Sequence, residues 1–334
     1  MSSPTHWHRI EPVEASDLTR RALFGASALA VVAARAARTE WRPKLGILGH
    51  YTPANLEFAR REGFRNMIIS EGGAIDPAHA TDEQLASIKS AIAASGVQVS
   101  ALQINGSHID ADAAERQREN TKFAKYIEVA GKLGVPYIGT QSGKDESKPF
   151  RTQVDEIVRT YNEKYFPLCQ KYNVRILWEP WPGGANIATG PVGFDALLKA
   201  FNNSPYVGLQ YDPSHEVWQF IDPIQTARDF VDHIYDVHLK DTEIDWNTLK
   251  WTGTNPPNRA EWWRYRLPGL GSIDWPAFFS VLQKAGYQGA MTIEHEDEYY
   301  GCCSGGDFAE DYKEGFRMAH KYLRQYVPEP GAPS

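Results

Sequence analysis

The sequence predicts a single (β/α)8 barrel over residues 39–334. Strand-like and helix-like segments alternate eight times after Lys44, and the strand-like segments are continuous apolar runs. Such runs are typical of parallel strands buried on both faces. Several of these runs end in an acidic residue, and barrels of this kind carry their active sites at the carboxyl ends of the strands. An open doubly wound sheet is the alternative, but its glycine-rich phosphate loop is missing, because His50-Tyr-Thr-Pro-Ala54 follows the first strand.

The predicted strands and helices alternate along the chain without a domain boundary. The strands are Leu45–His50, Asn66–Ser70, Val97–Ile104, Val135–Gln141, Val174–Glu179, Val207–Asp212, Ile234–Lys240 and Ala290–Glu294. The helices cover 54–62, 81–95, 112–133, 152–173, 191–201, 223–231, 275–285 and 307–326.

Capping signals support several of these helix ends. Thr81-Asp-Glu-Gln84 has the form of a capping box, and Asp222-Pro223 offers an N-cap before a proline in the first helical position. Glycines that suit left-handed C-terminal caps follow four helices: Gly63, Gly96, Gly134 and Gly286.

The longest predicted loop, about 242–274, follows the seventh strand and is rich in aromatic residues. It contains Trp246, Trp251, Trp262, Trp263 and Tyr265. A loop of this length over a barrel mouth is usually functional. We expect a substrate lid or an oligomer contact.

The first 38 residues resemble a twin-arginine export signal. Thr19-Arg-Arg-Ala-Leu-Phe-Gly25 precedes an apolar run, Ala26–Ala34, which is too short to span a bilayer. We therefore expect export of the folded protein and no membrane span. The alternative is a disordered or helical N-terminal arm on a cytoplasmic enzyme.

Composition excludes some classes of function. The chain is 42% hydrophobic and 23% charged, with a net charge of −7, so it has no basic surface for nucleic acid. Its three cysteines do not form a disulfide framework.

Four candidate metal ligands close strands five to eight: Glu179, Asp212, His238 and Glu294. The carboxyl ends of adjacent strands lie on one side of a barrel mouth, so these side chains should meet there. Three carboxylates crowded together would repel each other without a cation. The oxygen-rich set suits Mn²⁺ or Mg²⁺ and tolerates Co²⁺ or Zn²⁺.

Around these residues the chain resembles the xylose isomerase-like TIM barrels, often labelled sugar phosphate isomerases/epimerases. The segments that carry the resemblance are Tyr211-Asp-Pro-Ser-His215, Val237-His-Leu-Lys-Asp241, Arg266-Leu-Pro-Gly-Leu-Gly271 and Ile293-Glu-His-Glu-Asp297. It covers residues 44–326 and implies one divalent metal, commonly Mn²⁺, held by the four ligands. It also implies an isomerase or epimerase in which Glu179 and Glu294 exchange a proton α to the carbonyl of a keto sugar, through a metal-stabilised enediolate.

Five further residues are candidates for substrate binding: His215, Lys240, His108, Gln141 and Arg266. His215 matches a substrate-binding histidine of the family, although it would also be placed to orient Asp212. Lys240 either stabilises an oxyanion or pairs with Asp212 or Glu179. His108 either supplies an acid or base or is a structural histidine.

Two positions depart from the ketohexose epimerase pattern. Ala185 and Ile244 stand where that branch has a glutamate and an arginine that grip the substrate. The carboxylates at 296–298 also disfavour a phosphate group, so a neutral sugar or glycoside fits better.

These departures leave other reactions and roles open. One alternative is a 3-keto-glycoside β-eliminase or hydratase, or a C-glycoside deglycosidase subunit, with the same metal site. Another is a noncatalytic sugar-binding protein. A DNA-repair endonuclease is disfavoured by the acidic charge. A homo-oligomer and a small partner subunit both remain open.

Overall fold

A computed structural model describes residues 41–301 and 306–328, and it confirms the predicted parallel barrel. The strands are β1 (Lys44–Gly49), β2 (Asn66–Ser70), β3 (Gln98–Gln103), β4 (Tyr137–Thr140), β5 (Arg175–Trp178), β6 (Val207–Tyr211), β7 (Ile234–Leu239), β8 (Asp241–Ile244), β9 (Trp263–Arg266) and β10 (Ala290–Ile293). Eight of them close a barrel in the order β1-β10-β7-β6-β5-β4-β3-β2, while β8 and β9 form a separate pair. All eight barrel contacts are parallel.

Helices follow most of the barrel strands, as the sequence predicts. They are α1 (Pro53–Arg61), α2 (Asp82–Ser95), α3 (Ala113–Leu133), α4 (Phe150–Thr160), α5 (Phe166–Tyr172), α6 (Pro191–Ala200), α7 (Ser214–Val217), α8 (Pro223–Phe230), α9 (Trp246–Thr252), α10 (Trp275–Lys284) and α11 (Glu310–Leu323). The capping box at Thr81 and the Asp222 cap are both present. Gly63, Gly96, Gly134 and Gly286 all have positive φ, between 73° and 85°.

The predicted helix 152–173 is in fact interrupted. A π-helical turn, Tyr161–Tyr165, separates α4 from α5. Pro167 follows it and has no N–H to donate to the preceding turn, which favours a change of hydrogen-bond pattern here. The turn buries both tyrosines completely: Trp178 Nε1 donates to the Tyr161 hydroxyl at 3.2 Å, and the Tyr165 hydroxyl donates to Asn120 Oδ1 at 2.6 Å.

The predicted loop 242–274 contains regular structure that the sequence analysis missed. Strands β8 and β9 pair antiparallel from Asp241↔Arg266 to Ile244↔Trp263, and α9 lies between them. We call the segment from Asp241 to Arg266 the strap. Its first residue is buried, and the Asp241 carboxylate accepts hydrogen bonds from the backbone N–H groups of Gly269 and Ile273 and from Trp275 Nε1.

The barrel interior beneath the mouth is polar and tightly filled. Asn66 Nδ2 donates to Ser100 Oγ at 2.9 Å and to Thr292 Oγ1 at 3.0 Å, which ties strands β2, β3 and β10 together. On the other side of the interior, a Cβ at Gly139 would collide with the amides of Gln210 and Gln103. Only glycine therefore leaves room for these amides.

The predicted export segment, residues 1–38, lies outside the described residues and stays a prediction. Within 41–301 and 306–328, no helix has the length and apolar character needed to cross a bilayer.

Candidate active site

The four predicted ligands come together at the barrel mouth. Glu179, Asp212 and Glu294 directly follow β5, β6 and β10, and His238 is the penultimate residue of β7. His238 Nδ1 lies 3.0 Å from Glu179 Oε1 and 3.1 Å from Glu294 Oε2. Because parallel strands end at the same edge, residues as far as 115 positions apart in sequence lie close together.

A fifth side chain, His215, joins this group and changes its expected make-up. One group of potential ligand atoms comes from Glu179, Asp212, His215 and Glu294, and all four atoms lie within 4.8 Å of one another. In this cluster His215 stands where the sequence analysis placed His238. The α7 turn after β6 brings His215 Nε2 to 3.3 Å from Asp212 Oδ2, while its Nδ1 lies 2.8 Å from the Tyr265 hydroxyl.

These residues fit a divalent cation on geometric grounds. Asp212 is fully buried, and its Oδ2 makes no hydrogen bond with the described residues, although Lys240 Nζ lies 3.2 Å and His215 Nε2 3.3 Å away. Two ligand atoms that each lie about 2.1 Å from one ion, with a right angle between the two ion–ligand bonds, are about 3.0 Å apart. The distances from His238 to the two glutamates match that separation. The carboxylates of Glu179, Asp212 and Glu294 would hold the ion, together with one or both imidazoles.

Lys240 places a positive charge beside the same carboxylates. Its Nζ lies 2.7 Å from Glu294 Oε2, 2.8 Å from Glu296 Oε2 and 3.2 Å from Asp212 Oδ2. Burial acts to lower the pKa of Lys240, but the three carboxylates outweigh it and hold the pKa well above its usual value. The side chain is therefore cationic throughout the physiological range.

The two glutamates remain ionised despite their burial. Burial and the Glu294 charge act to raise the pKa of Glu179, but His238 and His215 outweigh them and lower it to about 2. For Glu294, burial is likewise outweighed, by Lys240 and His238, and its pKa falls well below the usual range. Gln103 Nε2 donates to Glu179 Oε2 at 2.7 Å and fixes that carboxylate. Both carboxylates are thus available as proton acceptors.

A cavity of about 350 Å³ opens above this cluster. Its lining includes three of the predicted substrate-binding residues, Gln141, His215 and Lys240. It also includes Leu48, Gly49, His50, Ser70, Glu71, Gln103, Asn105, Glu179, Trp181, Glu294, His295, Glu296, Phe308 and Tyr312. The mixture of polar and aromatic side chains around a carboxylate floor suits a small polyhydroxylated ligand.

Two predicted substrate-binding residues lie elsewhere. His108 is fully buried in an aromatic cluster, with Nδ1 2.9 Å from the Tyr165 hydroxyl and Nε2 3.3 Å from Thr140 Oγ1. Burial lowers its pKa to about 3, so it is a neutral structural histidine. Arg266 is also outside the cavity lining, because its Nε donates to Asp297 Oδ2 at 2.8 Å and its Nη1 to Glu243 Oε2 at 2.5 Å.

Two cavity residues were missed by the sequence analysis, although the sequence carried a signal for both. Glu296 and Trp181 each lie two positions after a glutamate ligand. In extended chain, side chains two residues apart face the same side. Trp181 is further held by Gly183 and Gly184, where a Cβ would lie 2.7 and 2.8 Å from its ring.

Comparison with known proteins agrees with this architecture. The family model described as "Xylose isomerase-like TIM barrel" matches residues 56–325. The uncharacterised protein YfiH of Bacillus subtilis is 28% identical over 281 residues, covering 72% of this chain and 87% of YfiH. An inosose dehydratase of Clostridium tetani is 25% identical over 173 residues, and that match spans 51% of this chain and 54% of the dehydratase.

Solved structures share the fold at low sequence identity. A D-psicose 3-epimerase superposes with a TM-score of 0.64 at 18% identity, covering 85% of this chain and 99% of the epimerase. The 3-keto-D-glucoside 4-epimerase YcjR of E. coli gives 0.61 at 16% identity, covering 85% and 100%. The IOLI protein, solved with a zinc atom, gives 0.64 at 18% identity, covering 87% and 100%. On the family match over most of its length, this chain belongs to the xylose isomerase-like TIM barrel family.

Proposed function

We propose that this protein is a divalent-metal-dependent isomerase or epimerase that removes the proton α to the carbonyl of a keto sugar. The observation that carries the proposal is the pair of glutamates, Glu179 and Glu294, whose carboxylate oxygens lie 3.0 and 3.1 Å from one imidazole nitrogen at the floor of a cavity. The sugar epimerases and inosose dehydratases among the similar proteins support a keto-sugar substrate.

In this proposal, different residues of the chain transfer protons, stabilise negative charge and limit the access of water. One of the two glutamates accepts the α proton and the other returns a proton to the substrate. Lys240 and His215 line the same cavity and donate hydrogen bonds to the oxygen on which negative charge develops. Trp181 and Phe308 cover the cavity and limit the access of water.

A divalent cation held by Glu179, Asp212 and Glu294 with imidazole would supply Lewis acidity, which polarises the carbonyl and acidifies the neighbouring C–H bond. Mn²⁺ is our first choice because the donor set is rich in oxygen, and Zn²⁺ is the second because of the imidazoles.

Deuterium exchange tests the proposal directly. Mn²⁺-loaded protein is incubated in D₂O with free ketoses and with 3-keto-glycosides, and deuterium at the α carbon is measured by NMR. We expect exchange with at least one of these substrates and a loss of at least 100-fold in Glu294→Gln. Full exchange by Glu294→Gln would remove that glutamate from the mechanism. Less than about 0.1 equivalent of metal after Mn²⁺ loading would favour a noncatalytic sugar-binding protein instead.

Elimination is the second candidate. It is favoured by the sequence relatives, four of which are inosose dehydratases. The first step, removal of the α proton, is the same, and a β substituent then departs. Release of water or of an aglycone from a 3-keto compound, together with α exchange, would assign elimination. Exchange without release would assign isomerisation or epimerisation.

A further inference from the structure

A second cavity lies beside the catalytic one, beneath the strap. Its volume is about 600 Å³, and four aromatic side chains contribute to its wall: Trp262, Trp263, Tyr265 and Tyr299. Its size lies within the range of small-molecule sites, roughly 300–1,000 Å³. The reaction proposed above uses none of these rings.

The two cavities share a wall. Glu296 lines both of them, and its Oε2 accepts a hydrogen bond from Lys240 Nζ at 2.8 Å. Tyr265 lines the second cavity, while its hydroxyl lies 2.8 Å from His215 Nδ1 and its ring lies 4.4 Å from Lys240 Nζ. The Glu296–Lys240 ion pair therefore lies at the boundary between the two cavities.

The aromatic wall is fixed on one side and open on the other. Trp263 stacks face to face on Trp218, with ring centroids 4.5 Å apart and planes at 2°, which holds its indole in place. Tyr299 is 66% exposed, and the guanidinium groups of Arg264 and Arg266 lie 5.7 and 5.1 Å from the centroid of its ring. Rigid and partly exposed aromatic rings offer large apolar faces to a ligand at a small cost in conformational entropy.

The charges in the wall indicate an uncharged ligand. Four carboxylates line the second cavity, from Glu261, Glu296, Asp297 and Glu298, against the two guanidinium groups of Arg259 and Arg264. Glu296 is paired with Lys240, and Asp297 with Arg266. The remaining two carboxylates balance the two guanidinium groups, so the wall offers no net positive charge to a phosphate or carboxylate substituent.

We propose that the second cavity binds an uncharged ring substituent of the substrate, so that the enzyme acts on a glycoside rather than on a free monosaccharide. This inference rests on the proposed function for the identity of the first ring, the keto sugar. The second ring is either an aryl aglycone or another sugar, since both present an apolar face to aromatic side chains.

Calorimetric titration of the Mn²⁺-loaded protein tests the inference. The probes are methyl, phenyl and glucosyl 3-keto-β-D-glucopyranosides. They differ only in the aglycone, which is a second ring in the phenyl and glucosyl compounds and a methyl group in the third. We expect phenyl or glucosyl to bind about tenfold more tightly than methyl, and the tighter of the two identifies the substituent. A preference below about twofold for both would overturn the inference.

Variants separate stacking from general effects. Tyr299→Ala should remove most of the preference and leave the affinity for the methyl compound unchanged, whereas Tyr299→Phe should keep the preference. Trp251→Ala is the matched control, because this strap tryptophan is 90% exposed and lines neither cavity. A preference that survives in Tyr299→Ala would contradict the proposed site.

The proposed function is tested separately, by measuring deuterium exchange at the α carbon of the methyl compound. Exchange without a ring preference retains the proposed function and rejects the second cavity. A ring preference without exchange retains the second cavity and rejects the proposed function.

Discussion

At the residue scale, the two histidines near the carboxylates differ in their remaining contacts. His215 Nδ1 lies 2.8 Å from the Tyr265 hydroxyl, and its Nε2 lies 3.3 Å from Asp212 Oδ2 and 3.5 Å from Glu179 Oε1. His238 Nδ1 lies closer to its two carboxylates, at 3.0 Å from Glu179 Oε1 and 3.1 Å from Glu294 Oε2. His215 also lines the cavity, so we expect His238 to contribute more to cation binding and His215 more to substrate binding.

We therefore predict that His238→Ala lowers Mn²⁺ affinity at least tenfold, because it removes a direct ligand. His215→Ala should lower it less and instead weaken substrate binding. Mn²⁺ affinity by calorimetry and KM by kinetics give the two readouts. The opposite ranking of the two variants in Mn²⁺ affinity would assign His215 as the ligand.

Glu216 is a second informative residue, because it is buried beside a tyrosine. The single hydroxyl proton of Tyr211 faces two acceptors, Glu216 Oε2 at 2.8 Å and the Pro223 carbonyl at 2.7 Å. A protonated Glu216 resolves this conflict by donating to the tyrosine, which then donates to Pro223. Burial raises the pKa of Glu216 to about 8.

The stability of the protein should therefore depend on the protonation of Glu216. The folded state keeps a proton that the unfolded state loses above about pH 4.5, so this contribution falls as pH rises from about 5 to 8. The expected slope is about 1.4 kcal/mol per pH unit. Glu216→Gln keeps the neutral form and should flatten that slope in urea unfolding. Identical slopes in the two proteins would show that Glu216 is ionised in the folded state.

At the element scale, a single carboxylate anchors the start of the strap. Each oxygen of Asp241 accepts two hydrogen bonds: Oδ1 from the N–H groups of Thr242 and Ile273, and Oδ2 from Gly269 N–H and Trp275 Nε1. An asparagine would place its NH₂ group against two of these donors.

We predict that Asp241→Asn destabilises the protein by about 2–4 kcal/mol, through two lost charge-assisted bonds and the new donor–donor contacts. Denaturant unfolding measures the loss, and limited proteolysis shows whether the strap opens first. Asp245→Asn is the control, because Asp245 is an N-cap of α9 and asparagine caps equally well. A change below 1 kcal/mol in Asp241→Asn would mean that the strap has other anchors.

The sequence predicted the barrel elements better than it predicted the strap. Apolar runs that end shortly before a proline indicate strands such as β5 and β6, because burial on both faces leaves a strong local signal. The strap is held by contacts distant in sequence, from Asp241 to Trp275 and from Arg266 to Asp297, so its pairing left no local pattern. The π turn was missed for a similar reason: buried tyrosines and Pro167 determine it, within an otherwise helical periodicity.

At the scale of the whole molecule, buried ionisable groups outside the ligand set should give stability a maximum in mildly acidic solution. Burial lowers the pKa of His108 to about 3 and that of His295 to about 4. It raises the pKa of Asp236 to about 7 and that of Glu216 to about 8. The two histidines resist protonation in the folded state, and the two acids resist ionisation.

The directions of these pKa shifts determine how stability changes with pH on each side of the maximum. Below pH 6.5 both histidines become protonated in the unfolded state but stay neutral in the folded state. Their contribution to the free energy of unfolding therefore falls by up to about 2.7 kcal/mol per pH unit as pH decreases. Between about pH 5 and 6.5 the two acids offset this effect, and above pH 6.5 stability falls as pH rises. We predict a maximum between about pH 5 and 7 in urea unfolding, with a shallower acidic limb in His108→Gln. Stability that rises steadily from pH 5 to 9 would contradict this assignment.

The candidate site was predictable in its carboxylates but not in its full set. Glu179, Asp212 and Glu294 follow directly from strand ends, since strand geometry alone determines where such residues lie. His215, Lys240 and Glu296 converge on them through a short turn and two strand extensions, and their mutual distances depend on the closed barrel. His108 and Arg266 fitted the pattern of a site, but packing against Tyr165 and pairing with Asp297 direct them elsewhere.

The strap also has a consequence for how such an enzyme diversifies. Both of its ends are locked to the barrel, by Asp241 at the start and by the Arg266–Asp297 pair at the finish. The intervening residues 245–262 connect the two paired strands β8 and β9. We therefore expect that side chains in this segment can be replaced without moving the carboxylates at the barrel mouth. Under the proposed function, substrate range and catalysis would then depend on separable parts of one chain.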